Sequence, residues 1–243
     1  MTGYSQAELI NGSAALLLAG LGALAGYACA CIAHAYAALL RQGAYADAAT
    51  LIAALAHAAA RPSCDMGAGV IGVFSLGGTV AALYLRDGDA VYVAGTASAC
   101  AVLLLLAFID FRTRLLPDAL TLPLLWMGLA WAWTGAGPGL HNAVAGAVAG
   151  YGGLWLLFWS IKACTGRDGI GYGDLKLLAA LGAWLGWRPL VWVLLGACLV
   201  GILFAMWRQR SWRPAGAYPF GPFLAAGGTL GLLAGTEVHF YFW

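Results

Sequence analysis

Residues 90–118 read AVYVAGTASACAVLLLLAFIDFRTRLLPD, and this stretch decides the class of fold. Ala90–Ile109 carry no charge and match the roughly 20 residues that a helix needs to cross a bilayer. Asp110, Arg112 and Arg114 follow at once, and Pro117-Asp118 leads into a second apolar run. Asp110 therefore sits where lipid meets water. An acid is expensive to keep there, which makes it a candidate functional residue.

The rest of the chain repeats the pattern. Of its 243 residues, 63% are hydrophobic and 9% charged, against roughly 25% charged in an ordinary soluble domain. That balance excludes a soluble globule and gives an all-α, polytopic membrane bundle whose main surroundings are the lipid bilayer. Apolar runs at Ala14–Leu40, Met66–Leu85, Ala90–Ile109, Leu120–Ala136, Ala143–Ile161, Leu175–Trp187, Pro189–Trp207 and Phe223–Phe242 read as about eight transmembrane helices. The sixth is short enough to enter from a polar cleft instead of crossing fully. A net charge of +2 and the lack of a basic patch interleaved with aromatics give no argument for a nucleic-acid partner. Cys29, Cys31, Cys64, Cys100, Cys164 and Cys198 form no C-x-x-C pair, so neither a disulfide framework nor a zinc site is visible. Glu8 precedes every Lys and Arg, so the first run is read as a spanning helix and not as a cleaved signal.

Basic residues test the helix count independently. The connections after spans one, three, five and seven hold Arg41, Arg61, Arg112, Arg114, Lys162, Arg167, Lys176, Arg208, Arg210 and Arg213; the opposite side holds Arg86 and Arg188. By the positive-inside rule the richer side is cytoplasmic, which puts both termini on the non-cytoplasmic side. Asp110 and Asp174 then share the cytoplasmic face. Two units are expected: an N-terminal membrane region over 1–89 with a cytoplasmic loop at 41–65, and a membrane-embedded unit over 90–243 that holds both acids. Ala44–Ala60, inside that loop, reads as a surface helix. Gly146, Gly150, Gly152 and Gly153 read as points of tight helix packing.

Gly171-Tyr172-Gly173-Asp174 opens the sixth span. Glycines there allow positive φ and close approach of another chain, and irregular backbone at membrane depth is tolerated only under protein cover or beside a wet cavity. Asp174 has two compatible readings, a cap for the helix beside it and a catalyst. Asp110 reads either as an interfacial residue paired with Arg112 or Arg114, or as a partner acid. Asp118, after Pro117, reads as a helix start and cap, Asp168 as a solvated turn, and Lys176 as a positive-inside anchor that also has the option of tuning the acids. His34 and His57 read as structural or interfacial, and Glu237 and His239 lie near the outer end of the eighth span. Two carboxylates brought together share a proton and activate water, so they cut a peptide bond without a metal or cofactor. Paired membrane acids also mark proton and cation pathways, which keeps a non-proteolytic carrier as the alternative. A carrier more naturally places its acids at mid-bilayer and shows inverted repeats. An inactive scaffold is the third reading.

Three segments carry a resemblance. Phe108-Ile109-Asp110-Phe111-Arg112-Thr113-Arg114-Leu115-Leu116-Pro117-Asp118 resembles the first signature of bacterial type IV prepilin peptidases. The run from Gly171-Tyr172-Gly173-Asp174-Leu175-Lys176 to Gly182 resembles their second, and Pro219-Phe220-Gly221-Pro222 the short motif before their last helix. The resemblance implies a GxGD-type intramembrane aspartyl endopeptidase of the bacterial inner membrane. It would remove the basic leader of type IV prepilins or type II secretion pseudopilins on the cytoplasmic side, with Asp110 and Asp174 catalytic and Gly171, Gly173 and Lys176 in the active-site motif. Proteolysis needs no cofactor. Some relatives also methylate the new N-terminus with S-adenosylmethionine; nothing in Met1–Leu85 supports that activity, and the two C-x-x-C pairs common in the family are missing. Helix direction assigns Asp174, which opens a helix, as base and Asp110, which closes one, as the protonated acid.

Overall fold

The computed structural model describes residues 6–87, 90–166, 171–210 and 218–234. Asp168, Glu237 and His239, together with Arg167, Arg213 and the outer end of the eighth span, lie outside them. The described residues form α1 (Gln6–Arg41), α2 (Ala48–Ala60), α3 (Met66–Asp87), α4 (Ala90–Thr113), α5 (Asp118–Trp133), α6 (Leu140–Thr165), α7 (Tyr172–Leu185), α8 (Trp187–Gln209) and α9 (Gly221–Ala234). Each expected span overlaps one of these helices, the eighth over its described part, and no strand occurs among the described residues. In lipid the backbone must bond to itself, which is why the apolar runs are helical even where they are rich in Gly, Val and Thr.

Five helices (α1, α3, α4, α6 and α8) are long and apolar enough to cross a membrane. The chain is a membrane protein. The others are shorter for local reasons. α5 stops at Trp133 and not Ala136 because Gly135 turns to φ +83°. Gly186 at φ +80° separates α7 from α8, where the apolar pattern alone runs on to Trp187. The surface helix expected over Ala44–Ala60 begins at Ala48, since the Asp47 side chain accepts the Thr50 N–H at 2.8 Å and fixes the start. Thr50, Leu51, Ala54 and Ala58 are its buried face.

Close backbone contact holds the bundle together. Gly26 of α1 faces Gly72 of α3, and Gly146 of α6 faces Gly182 of α7; a Cβ at any of the four would run into the partner's carbonyl. Gly150 packs in the same way, with the Leu178 carbonyl 2.6 Å from where its Cβ would stand. Gly152 and Gly153, also expected at a tight interface, have nothing within 4 Å of where a Cβ would stand.

These contacts place α7 in the middle. Leu175 and Leu177–Leu185 are all buried, between α5, α6, α8 and α9. The first turn of this short helix stays open, with Tyr172 58% and the Lys176 side chain 31% exposed. One apolar core joins α3, α4, α7 and α9 through Leu83, Leu103, Leu106, Leu178, Leu181 and Leu224. A second joins α1 and α2 to the last turns of α4 through Tyr36, Leu51, Ala54, Phe108 and Ile109. α4 belongs to both, and Asp110 stands where they meet.

Candidate active site

Three helix ends converge on two acids. Asp110 lies in the last turn of α4 and is 5% exposed; Asp174 lies in the first turn of α7 and is 8% exposed. They are close enough for the charge of one to act on the other. The third end is the start of α9, where the Gly221 N–H donates to Asp110 Oδ2 at 3.0 Å. The motif around Gly221 was legible in the sequence, but its partner, 111 residues away, was not. Glycine is required there by space: a Cβ would stand 2.7 Å from Oδ2 and 3.0 Å from the carboxyl carbon.

The GxGD glycines act in the same way and not through positive φ. Gly171 has φ −75° and is the N-cap of α7, so Asp174 falls at the third helical position. Its carboxylate folds back over Gly171, whose N–H acts on it, as the acid of a capping box does. Gly173 lies against Leu116, whose Cβ is 2.7 Å from the position of the missing side chain. The turn between α4 and α5 is thereby pressed onto the start of α7.

Neighbouring charges pair away from the acids. Lys176 Nζ donates to both carboxylate oxygens of Asp118 at 2.6 and 2.7 Å. Asp118 does begin α5, but Pro117 is the N-cap and no side chain caps it; the carboxylate is drawn across to Lys176 instead. Arg112 does not pair with Asp110 either. Its guanidinium donates to Asp65 at 2.7 Å, and this bond holds the Asp65 carboxyl below the ordinary carboxylate range. Arg114 is the cation whose charge reaches Asp110; it ends α4 in the left-handed region at φ 56°. The role assignment from helix direction also needs correction. Asp110 closes α4, yet the first N–H of α9 points at it, so both acids face helix starts and dipole direction no longer separates them.

The far end of α7 is fixed as well. Trp184 Nε1–H donates to the Leu124 carbonyl of α5 at 2.9 Å, and its ring fills the space left by Gly128. Among the described residues no group of three His, Cys, Asp or Glu is placed to hold a metal ion.

Fold and site together define a helical membrane protein with a covered pair of carboxylates at one end of its bundle. Residues 97–206 match the model of the type IV leader peptidase family. Curated relatives named prepilin leader peptidase/N-methyltransferase include one from Burkholderia pseudomallei, 47% identical over 184 residues, which are 74% of this chain and 57% of the relative. Another, from Pectobacterium carotovorum, is 52% identical over 54% of this chain and 48% of its own length. One from Escherichia coli is 51% identical over 53% of this chain and 58% of its own. The chain thus spans about half to three-fifths of the length of the relatives it matches. No solved structure matches it.

Proposed function

We propose that this chain is an intramembrane aspartyl endopeptidase that removes the leader of type IV prepilins or type II secretion pseudopilins. The observation that carries the reading is the convergence of Asp110, Asp174 and the Gly221 N–H from three helix ends within a leader-peptidase sequence. Two buried carboxylates whose charges act on each other favour keeping one proton between them over ionising both. The ionised member takes a proton from a water, whose oxygen attacks the scissile carbonyl carbon. The protonated member gives its proton to the carbonyl oxygen. When the resulting diol collapses the C–N bond breaks, and the amine leaves with a proton returned from the pair. The proton belongs to the pair and not to either residue.

The distribution of Lys and Arg supports a cytoplasmic, inner-membrane site, where the junction between a basic leader and an apolar helix would rest. The 90–243 unit would hold the chemistry and 1–89 with its 41–65 loop would brace it. The acids lie at helix ends and not at mid-span, which weighs against a carrier. The polar cavity between α1 and α4, with two arginines against one aspartate, has no excess of negative charge to offer the sulfonium of S-adenosylmethionine. The proposed chemistry is proteolysis alone.

Incubation of the purified protein with a prepilin tests the reading. Asp110→Ala and Asp174→Ala are each expected to reduce leader removal by about 10²–10⁴-fold, the usual worth of a general acid or base. Full cleavage by either variant would exclude the pair.

A further inference from the structure

A cavity of about 540 Å³ opens beside the active-site end of α4, with His34, Arg41, Asp65, Arg112 and Thr113 in its wall. Its size falls within the roughly 300–1,000 Å³ of small-molecule sites. Arg41 ends α1 and Arg112 lies in the last turn of α4. The cavity is therefore at the level of helix ends, where the headgroups of a bilayer leaflet lie.

The donors outnumber the acceptors. The Arg112 side chain is only 14% exposed, whereas its partner Asp65 is 69% exposed. A guanidinium carries five N–H donors, and Asp65 takes a bond from Nη2 alone. Arg41 spends its Nε–H on the Ala37 carbonyl at 3.2 Å, which leaves its terminal amino groups for another acceptor. His34 Nδ1 is buried without a hydrogen-bond partner. A buried bare acceptor is tolerated more readily than an orphaned N–H, so the ring proton belongs on Nε2, which is then a donor. Thr113 adds nothing, because its hydroxyl donates to the Ile109 carbonyl at 2.8 Å and accepts the Leu115 N–H at 3.3 Å.

We propose that this cavity binds one singly charged phosphodiester, held by the guanidinium groups of Arg41 and Arg112 with His34 as a further donor. Two arginines against Asp65 leave a balance of +1, which suits a phosphodiester better than a dianionic monoester. Forked guanidinium donors match phosphate oxygens in pairs. The C-terminal ends of α1 and α4 oppose an anion weakly, and each of them carries one of the arginines that outweigh it. The phosphodiester comes either from an anionic phospholipid headgroup or from a soluble ester. The site is separate from the peptidase reading and does not depend on it.

Native mass spectrometry of the full chain in neutral detergent tests the lipid source, with phosphatidylglycerol and phosphatidylcholine offered at equal concentration. A thermal-shift titration with glycerophosphoglycerol, the same headgroup without acyl chains, tests the soluble source. Retention of phosphatidylglycerol in preference to phosphatidylcholine is expected, with a loss of about fivefold in Arg41→Gln and in Arg112→Gln, the usual worth of one basic residue against an anionic leaflet. Glycerophosphoglycerol that binds as well as the lipid identifies a soluble ester as sufficient; a response to the lipid alone identifies the headgroup. Asp65→Asn is expected to tighten binding, since the balance rises to +2. Arg41→Gln leaves the Arg112–Asp65 pair intact and so remains informative if the other variants melt early. Indifference to both probes, or weaker binding in Asp65→Asn, would show that the cavity houses only a structural ion pair and would overturn the proposal.

Discussion

Gly221→Ala is the most telling single change, because it adds one methyl group against the Asp110 carboxylate. The added Cβ would stand 2.7 Å from Oδ2, 3.0 Å from Cγ and 3.2 Å from Cβ of Asp110, whereas ordinary contact begins at 3.4 Å. The carboxylate must therefore retreat by about 0.7 Å. Its bond from the Gly221 N–H, now 3.0 Å, lengthens beyond hydrogen-bonding range. A hydrogen bond to a charged group contributes about 1.5–3 kcal/mol, and each 1.4 kcal/mol is about tenfold. Leader removal is expected to fall roughly 10- to 150-fold in kcat/KM, in keeping with the about 10²-fold cost of a 1 Å misplacement at a reacting centre. The assay is cleavage of a purified prepilin at several substrate concentrations, with the melting temperature of each variant measured in the same detergent. A folded Gly221→Ala enzyme that cleaves within twofold of the parent would refute the placement of α9 against Asp110.

Three further outcomes are expected. Lys176 and Asp118 are 31% and 54% exposed, so their pair contributes at most about 1 kcal/mol to stability; Lys176→Met should barely move the melting temperature yet slow cleavage several-fold by loosening the start of α7, and the swapped pair Lys176→Asp with Asp118→Lys should recover part of the rate. Arg114→Gly should raise the melting temperature, because a non-glycine residue at φ 56° costs about 1–2 kcal/mol, while the pH–rate profile shifts through loss of the cation that reaches Asp110. Gly182→Ala should lower stability by about 1–3 kcal/mol and abolish cleavage, since its new Cβ meets the Gly146 carbonyl and backbone cannot give way; normal activity in that variant would contradict the α6–α7 contact.

The spans were legible because hydropathy acts locally: Met66 and Ala90 begin helices where the apolar runs begin. The ends were less so, because Gly135 and Gly186 stop helices through a backbone angle that composition does not record. At the site, residue type and membrane depth were enough to single out Asp110 and Asp174. Pairing was not, because it depends on which elements meet. Asp118 has the sequence of a helix cap, and only the contact between α5 and α7 brings Lys176 to it. Arg112 stands two residues from Asp110, yet the loop that delivers Asp65 claims it. The Gly221 N–H is a backbone group, invisible to any reading based on side-chain chemistry.

The length of α7 explains why the site needs that backbone donor. With 14 residues, the helix rises only about 21 Å against a hydrocarbon core of about 30 Å. Trp187 and Arg188 begin α8 directly beyond it, as residues that anchor at an interface do. If they mark the far surface, Asp174 stops short of the near one and its carboxylate is covered by protein without being in bulk water. An acid held there relies on fixed donors in place of hydration. For Asp174 the donor is the Gly171 N–H; for Asp110 it is the start of α9. Lengthening α7 by one turn, with four alanines inserted after Gly182, would carry Asp174 about 6 Å outward and out of register with Asp110. Such a variant should still insert in the membrane and lose cleavage entirely, whereas retained cleavage would mean that the two acids need not meet at a fixed depth.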